Sequence, residues 1–556
     1  MMEFNEDQLY FIPLGGCGVF GANLSLYGYG GKWLIVDCGM GFGDDTMPGV
    51  DIIVPNISFL KQIKDDILAM IVTHGHEDHI GGIEYLWPQI QAPIYATPFT
   101  AGLIHTKVSG KAWGNQVDIR FLPEDEPLKL DPFEIETIKM AHSIPEMRAL
   151  NIKAGSEGYV LHTGDWKLDP NPVAGDVTDE GRLKELADLD ILAVVGDSTN
   201  AMVPGHSGSE YTVEKNLTEL FSTYKNKIFM TCFSSNVARL VSIAKAAAAN
   251  DRHVSLVGRS LWRIEGVARQ CGYLDGIEEF LDFEDAAYVP KEKIVYICTG
   301  SQGEPRAALS KVANGDHKVV DVVDGDVVLF SSRAIPGNEV SINRIKNRFL
   351  GKNIDIVTDR DEAIHVSGHP YQDEITQILE WVKPRYVLPV HGERMQMERH
   401  ASLAEDCGIS APVIPMNGDV CVIDRDGIEK IGEVPHGMLA VEGKRLVPVD
   451  HEAILMRKRL MYHGSVVVTL VMNDGGMLIA DPKITAMGLF DDGDHMDDDT
   501  YTDGAIEAVK KGLSKLKDHN KNADHAIEEA ARIAARRYFN TEFDKKPQTR
   551  VHLVRV

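Results

Sequence analysis

Positive charge and cysteine are both scarce in this sequence. Its 57 Lys and Arg face 83 Asp and Glu, for a formal net charge of −26. A chain this acidic excludes a protein that coats nucleic acid by long-range attraction, while leaving room for a local basic channel. The seven cysteines, Cys17, Cys38, Cys232, Cys271, Cys298, Cys407 and Cys421, are scattered, odd in number and free of any C-x-x-C pair. That pattern excludes a disulfide framework and a cysteine-ligated zinc site, and it predicts reduced, mostly buried thiols. The N-terminal MMEFNEDQLYFIPLGG has no basic segment followed by an apolar leader, and no uncharged run reaches membrane-spanning length. The expectation is a cytoplasmic protein with no membrane association. Internal repeats and low-complexity tracts are missing as well.

What is there is a strand-then-helix rhythm. Apolar runs such as WLIVD (33–37), ILAMIVT (67–73), Tyr159 to Thr163, Ile191 to Val195 and Tyr386 to Val390 each end in polar or glycine-rich punctuation. This is the α/β signature, and in such folds ligands bind beyond the carboxyl ends of strands. At 556 residues the chain exceeds one core, so about two to four domains are expected. A second set of strand-helix units runs from Ser207 to Asp361. The rhythm weakens through GEVPHGMLAVEGKRLVPVD, which reads as a connector, and residues 464–556 form a small α/β appendage. The acidic run Asp491 to Asp503 lacks the D-x-[DN]-x-[DN]-G spacing of a calcium loop and reads as a solvated loop.

One stretch stands out. THGHEDHIGG places His74, His76, Asp78 and His79 directly after a buried strand, with a helix expected to begin near His79. Neutral imidazoles with carboxylates suit zinc or a similar borderline metal. Aspartate at position 78 supplies negative charge that lets two dications sit ~3.5–4 Å apart. Further ligands must come from other strand ends, and His142 (MAHS), Asp165 (TGDWK) and His391 (PVHGE) fit that position. His162, inside its strand, reads as a core histidine. Asp37, at the end of WLIVD, reads as a carboxylate that fixes a histidine tautomer from behind.

With Asp37, H-x-H-x-D-H, His142, Asp165 and His391 in this order, the chain resembles the metallo-β-lactamase superfamily. Asp197 in GDSTN, His369 in HVSGHP and His391 in PVHGE resemble motifs A, B and C of its β-CASP nucleases, and nearly the whole chain is similar to the bacterial ribonuclease J family. The N-terminal loop GGCGVFGAN departs from that family's GGxGEIGxN. The resemblance implies an αββα sandwich (1–206 and 362–430), an inserted α/β β-CASP domain (207–361), a linker (431–463) and a C-terminal α/β domain (464–556) that forms homodimers or homotetramers.

It also implies chemistry. Two divalent ions per chain, zinc with manganese or magnesium as alternatives, are expected on His74, His76, His142 and a bridging Asp165, and on Asp78, His79, Asp165 and His391. Asp165 therefore counts among the catalytic residues, with His369 as general acid and Asp197 orienting it. A pocket for an RNA 5′-monophosphate is expected from Ser234, Ser235 and Asn236 (FSSN), Ser332 and Arg333 (SSR), and His365, Ser367 and Gly368; a helix cap at Ser234 or Ser235 and a turn at SSR are an equal alternative. The loops GRS (258–260) and GSQGEP (300–305) are similar but weaker signals. Arg239, Arg259, Lys311 and Arg333 are candidates for a basic groove that single-stranded RNA threads. The implied activity is a metal-dependent ribonuclease, working 5′ to 3′ and also internally, in mRNA turnover and rRNA maturation with RNA-degradation partners. The alternatives are a small thioester or lactone hydrolase, which would lack the long insert, and a non-catalytic RNA-processing scaffold, which the complete ligand set disfavours.

Overall fold

The computed structural model describes residues 3–335, 337–489, 495–517 and 522–556, and these form two units, 1–41 with 54–438, and 42–53 with 439–556. The first unit begins with an apolar run, Leu9–Gly15, that is buried at every position. A strand of this kind must be covered on both faces. It lies inside an eight-stranded sheet in which Leu24–Tyr29 and Lys32–Val36 follow antiparallel, and Ile67–Ile71, Ile94–Ala96 and Ile119–Phe121 continue in parallel. A six-stranded sheet carries, in spatial order, Tyr386–Val390, Ile191–Asp197, Gly158–His162, Arg148–Ala154, Phe133–Lys139 and Leu128–Leu130.

The two sheets share one apolar core. Phe11, Tyr27, Leu34 and Ile71 from the first meet Ile135, Leu150, Val160 and Val195 from the second. The outer face of the second sheet buries its own apolar residues against helices, through Leu183, Ile375, Ile378, Leu379 and Leu403. Helices Ile83–Ile90 and Pro98–Val108 bury Leu86, Trp87, Phe99 and Leu103 on the first side. The layers are the αββα sandwich that the sequence motifs imply. Central strands such as Leu9–Gly15 and Ile191–Asp197 are buried throughout, which leaves the strand ends as the place where polar side chains can gather.

Between Asp197 and Tyr386 the chain builds a separate five-stranded sheet, all parallel, from His253–Val257, Ile294–Cys298, Ile228–Thr231, Val327–Phe330 and Asp355–Thr358. Its core joins Phe229, Tyr296, Val328 and Phe330 to Leu309, Ile345 and Phe349 of the flanking helices. Among the described residues no helix is long and apolar enough to cross a membrane.

The second unit departs from the expected connector. Residues 431–463 include the hairpin Met438–Glu442 with Arg445–Pro448 and the helix Glu452–His463, and residues of 42–53 join their core through Val50. Ala440 and Val447 are buried there, and the two-residue turn has Gly443 at φ 59°, the left-handed geometry a tight hairpin demands. Strands this short leave little alternation to read. Ser465–Met472, Lys483–Met487 and Gln548–Arg555 then pack on helices His495–Ser514 and Asp524–Phe543. The acidic run is helical from His495 onward, not a loop; its residues 491–494 lie outside the described residues.

Candidate metal centre

Strand ends deliver the candidate ligands from both sheets. Lys32–Val36 leads into Asp37, Ile67–Ile71 leads into His74, and Phe133–Lys139, Gly158–His162 and Tyr386–Val390 lead into His142, Asp165 and His391. Parallel pairing sets His162 opposite Val195 and Asp197 opposite Val390, which brings Asp165, Asp197 and His391 side by side. Asp37 and His391 have φ of 63° and 53°, a left-handed backbone that costs a residue with a Cβ ~1–3 kcal/mol and persists where position matters. The helix after His76 starts at Glu77, ahead of the expected start near His79, because Glu77 and Asp78 suit its positive end. Gly82 sits where a Cβ would lie 2.4 Å from the Gly39 carbonyl oxygen. Only glycine lets this turn lie so close to the strand end.

Three ring nitrogens converge on one point. His76 Nδ1 lies 3.1 Å from His74 Nε2 and 3.0 Å from His142 Nε2. The other nitrogen of His142 donates to the Gly368 carbonyl at 2.6 Å, and His74 Nδ1 faces Thr73 Oγ1 at 3.0 Å, whose hydroxyl proton is committed to Asp37. Both histidines therefore present bare Nε2 lone pairs. Burial holds the imidazoles of His74 and His142 well below the usual histidine range and that of His76 at about 4, so all three are neutral at pH 7. Mutually facing lone pairs repel unless a cation stands between them.

A second group shares Asp165 with the first. His79 donates Nδ1–H to Asp37 Oδ2 at 2.7 Å, which turns Nε2 toward Asp165 Oδ2 at 3.1 Å and Asp78 Oδ2 at 3.5 Å. His391 Nε2 lies 3.1 Å from Asp78 Oδ2, and its Nδ1 lies 2.7 Å from Thr199 Oγ1 and 3.6 Å from Asp165 Oδ1. Burial alone would lower these two imidazoles, but Asp165, joined by Asp78 and Asp37 at His79 and by Asp197 and Asp78 at His391, outweighs it and holds both well above the usual range. A divalent ion supplies the same positive charge in place of those protons.

The donors fit a metal on three counts. Asp165 Oδ1 is buried with no hydrogen-bond partner. His74, His76, His142 and Asp165, and likewise Asp78, His79, Asp165 and His391, place ligand atoms within 4.8 Å of one another. Imidazole nitrogen and carboxylate oxygen are the donors that borderline dications prefer. This centre binds divalent metal.

Next to the ligands, His369 Nδ1 meets Asp197 Oδ2 at 2.8 Å, and both join Asp165 and His391 in a further group within 4.8 Å. Burial opposes charge on His369, yet Asp197 raises its imidazole above the ordinary value. Gly368, one residue before, could not be larger: a Cβ there would lie 2.8 Å from Ser143 Oγ. His162 lies in the core, bonded through Nδ1 to Tyr27 Oη at 3.0 Å.

The residues expected to bind a phosphate divide. Ser331 to Arg333 and Phe233 to Asn236 follow adjacent strands of the inserted sheet, and Ser331 Oγ donates to the Ile364 carbonyl at 2.7 Å, which brings SSR to the HVSGH segment. Arg333 is exposed, bonding Asp359 at 3.1 Å and the Tyr371 hydroxyl. Ser367 Oγ accepts from Asn200 at 2.8 Å and from the His369 backbone at 3.1 Å. Asn236, not Ser234 or Ser235, caps the helix Val237–Ala249. Arg239 is fully buried against Glu210 and cannot line an RNA groove, whereas Arg259 and Lys311 are exposed. The sequence reading missed Asn23, whose side chain reaches Asp78 Oδ2 and His79 Nε2 at 3.3 and 3.1 Å, and Thr199, which holds His391. Asn23 stands in the GGCGVFGAN loop and Thr199 in GDSTN, so both motifs were visible while the contacts were not.

Asp37→Asn keeps the shape and the tolerance of positive φ but removes the charge behind His79. Metal affinity, read by competition with a chromogenic chelator, falls ~10–100-fold. Unchanged affinity would leave Asp37 as a turn residue only.

The family models that match are the metallo-beta-lactamase superfamily over residues 17–149, the ribonuclease J beta-CASP domain over 225–349, the Zn-dependent metallo-hydrolase RNA specificity domain over 353–414 and the ribonuclease J C-terminal domain over 452–556. Ribonuclease J of Sinorhizobium meliloti is 40% identical over 99% of this chain and 98% of its own length. Ribonuclease J of Thermus thermophilus is 32% identical over 92% and 90%, and ribonuclease J2 of Bacillus subtilis 29% identical over 88% of each. A crystal structure of a protein of unknown function from Enterococcus faecalis shares the fold, with a TM-score of 0.54, 13% identity, and coverage of 75% of this chain and 100% of that one. A shared core, a complete set of histidine and aspartate donors and end-to-end similarity agree: the chain belongs to the ribonuclease J family of metal-dependent ribonucleases, in the β-CASP branch of the metallo-β-lactamase superfamily.

Proposed function

We propose that this protein hydrolyses single-stranded RNA from a 5′-monophosphate end, 5′ to 3′, cuts internally as well, and serves mRNA turnover and rRNA maturation in the cytoplasm. The observation that carries the reading is the His369–Asp197 pair, 2.8 Å apart and grouped with Asp165 and His391. A thioester releases a stabilised thiolate that needs no proton donor, whereas an RNA 3′-oxygen leaves poorly unless it receives a proton.

His74, His76 and His142, and Asp78, His79 and His391, would hold two ions with Asp165 between them. The nitrogen-rich donor set favours zinc, with manganese weaker on the same ligands and magnesium disfavoured by its preference for oxygen. When bound, the ions supply an activated water and offset charge on the phosphoryl oxygens. Gly368 fixes the tautomer of His142 so that its bare nitrogen faces inward, and Asp37 holds the Nδ1–H of His79 so that Nε2 is the nitrogen left for a metal. Asp197 keeps His369 protonated and aimed, and Nε2 of His369 donates to the 3′-oxygen as the P–O3′ bond breaks. The phosphate stays on the downstream fragment, so each cut makes a new 5′-monophosphate end. That end is received where SSR approaches the HVSGH segment, with Ser332, Arg333, His365 and Ser367 as contacts and the hydroxyls of Ser234 and Ser235 nearby.

Matched RNAs bearing a 5′-monophosphate, triphosphate or hydroxyl test this directly. Release of mononucleotides is fastest from the monophosphate, is abolished in His76→Ala, and in His369→Ala falls ~10²–10⁴-fold with metal content intact. Cleavage indifferent to the 5′ group removes the end pocket, and no cleavage with any metal favours the small-ester hydrolase. Residues 464–556 are assigned to self-association into homodimers or homotetramers. A chain ending at residue 463 therefore runs as a monomer in light scattering; a persisting dimer contradicts the assignment.

A further inference from the structure

The least exposed large polar side chain in the inserted domain is Arg239, at 0%. Its guanidinium is saturated. Nη2 donates to both oxygens of Glu210, at 3.1 and 3.0 Å, and Nε to Glu210 Oε2 at 3.3 Å. Nη1 donates to the Ser331 carbonyl at 3.1 Å, to the Ser331 hydroxyl, and to the Ile364 carbonyl at 3.0 Å. No donor is left for a ligand.

Its two carbonyl partners adjoin different segments of the expected phosphate pocket, and Glu210 bonds a third. Ser331 directly precedes Ser332 and Arg333. Ile364 directly precedes His365. Asn236 of the FSSN segment accepts from the Arg239 backbone N–H at 2.8 Å and donates to Glu210 Oε1 at 3.4 Å. Glu210 is tied in turn to the loop that carries Asp165, because its backbone N–H donates to Asp169 Oδ2 at 2.9 Å, and Asp169 pairs with buried Lys167 at 3.0 Å. A planar fork reaching two carbonyls and a carboxylate at once is specific to arginine.

We propose that Arg239 is a positioning residue: its guanidinium, paired with Glu210, holds the Asn236, Ser331 and Ile364 backbone segments at one spacing and so shapes the pocket for the 5′ end of RNA. The inference rests on the end-recognition reading above. The pocket is the product of three loops from separate strands, and one buried cation sets their mutual distance. Lysine at this position retains the charge for Glu210 but cannot serve both carbonyls.

The test compares wild type with Arg239→Lys on the 5′-monophosphate and 5′-hydroxyl RNAs, beside metal content and thermal midpoint. In Arg239→Lys the monophosphate-to-hydroxyl ratio of kcat/KM falls at least tenfold, through KM for the monophosphate RNA, while metal content stays at the wild-type level. Ser331→Ala, which removes one hydroxyl from the same junction, moves the ratio in the same direction by less and stands in if Arg239→Lys fails to fold. Equal slowing on both RNAs, or an unchanged ratio, overturns the proposal and leaves Arg239 a packing residue. A wild type with no monophosphate preference overturns the end-recognition reading itself, and this proposal with it.

Discussion

A buried carboxylate with unmet charge organises this molecule. Asp165 is 1% exposed, one of its oxygens has no hydrogen-bond partner, and it belongs to every group of potential metal ligands found among the described residues. An ionised carboxylate out of water needs positive charge or donors around it. The chain gathers His74, His79, His369 and His391 about Asp165, with carboxylates behind them that add to the demand for a cation. Divalent metal is the answer to an electrostatic problem that the fold itself creates.

The sandwich makes that arrangement affordable in structural terms. Strands buried on both faces can end only where the core ends, so polar residues placed just after them meet at one rim. Parallel pairing aligns Asp165, Asp197 and His391 by register, and left-handed backbone at Asp37 and His391 completes the aim. Among the described residues the inserted domain adds none to these groups of candidate ligands. Its Ser331 bonds Ile364, at the start of the segment that continues to His369, whose ring meets Asp197 beside the candidate ligands.

Much of the metal centre is legible in the sequence. H-x-H-x-D-H after an apolar strand declares its chemistry locally, whereas Asp37, a lone acid at a strand end, gains meaning only beside that motif, and its carboxylate lies 2.7 Å from His79 Nδ1. The pairing of residues 42–53 with the hairpin at 438–448 was not legible, since contacts between segments so distant in sequence leave no periodicity. Arg239 was misread for a related reason. Formal charge is written in the sequence, but burial is not, and a guanidinium that looks suited to phosphate is spent wholly on Glu210, Ser331 and Ile364. Asn23 and Thr199 lay in visible motifs, yet a side-chain amide or hydroxyl reveals its target only when the loop is closed.

The central claim is that Asp165 serves two ions at once, and activity against metal equivalents tests it most directly. Protein stripped by chelation and titrated with zinc, assayed on 5′-monophosphate RNA, should stay nearly inactive through the first equivalent and rise to a plateau at the second, with two ions per chain by elemental analysis. Full activity at a single equivalent, with no second ion bound, would contradict it.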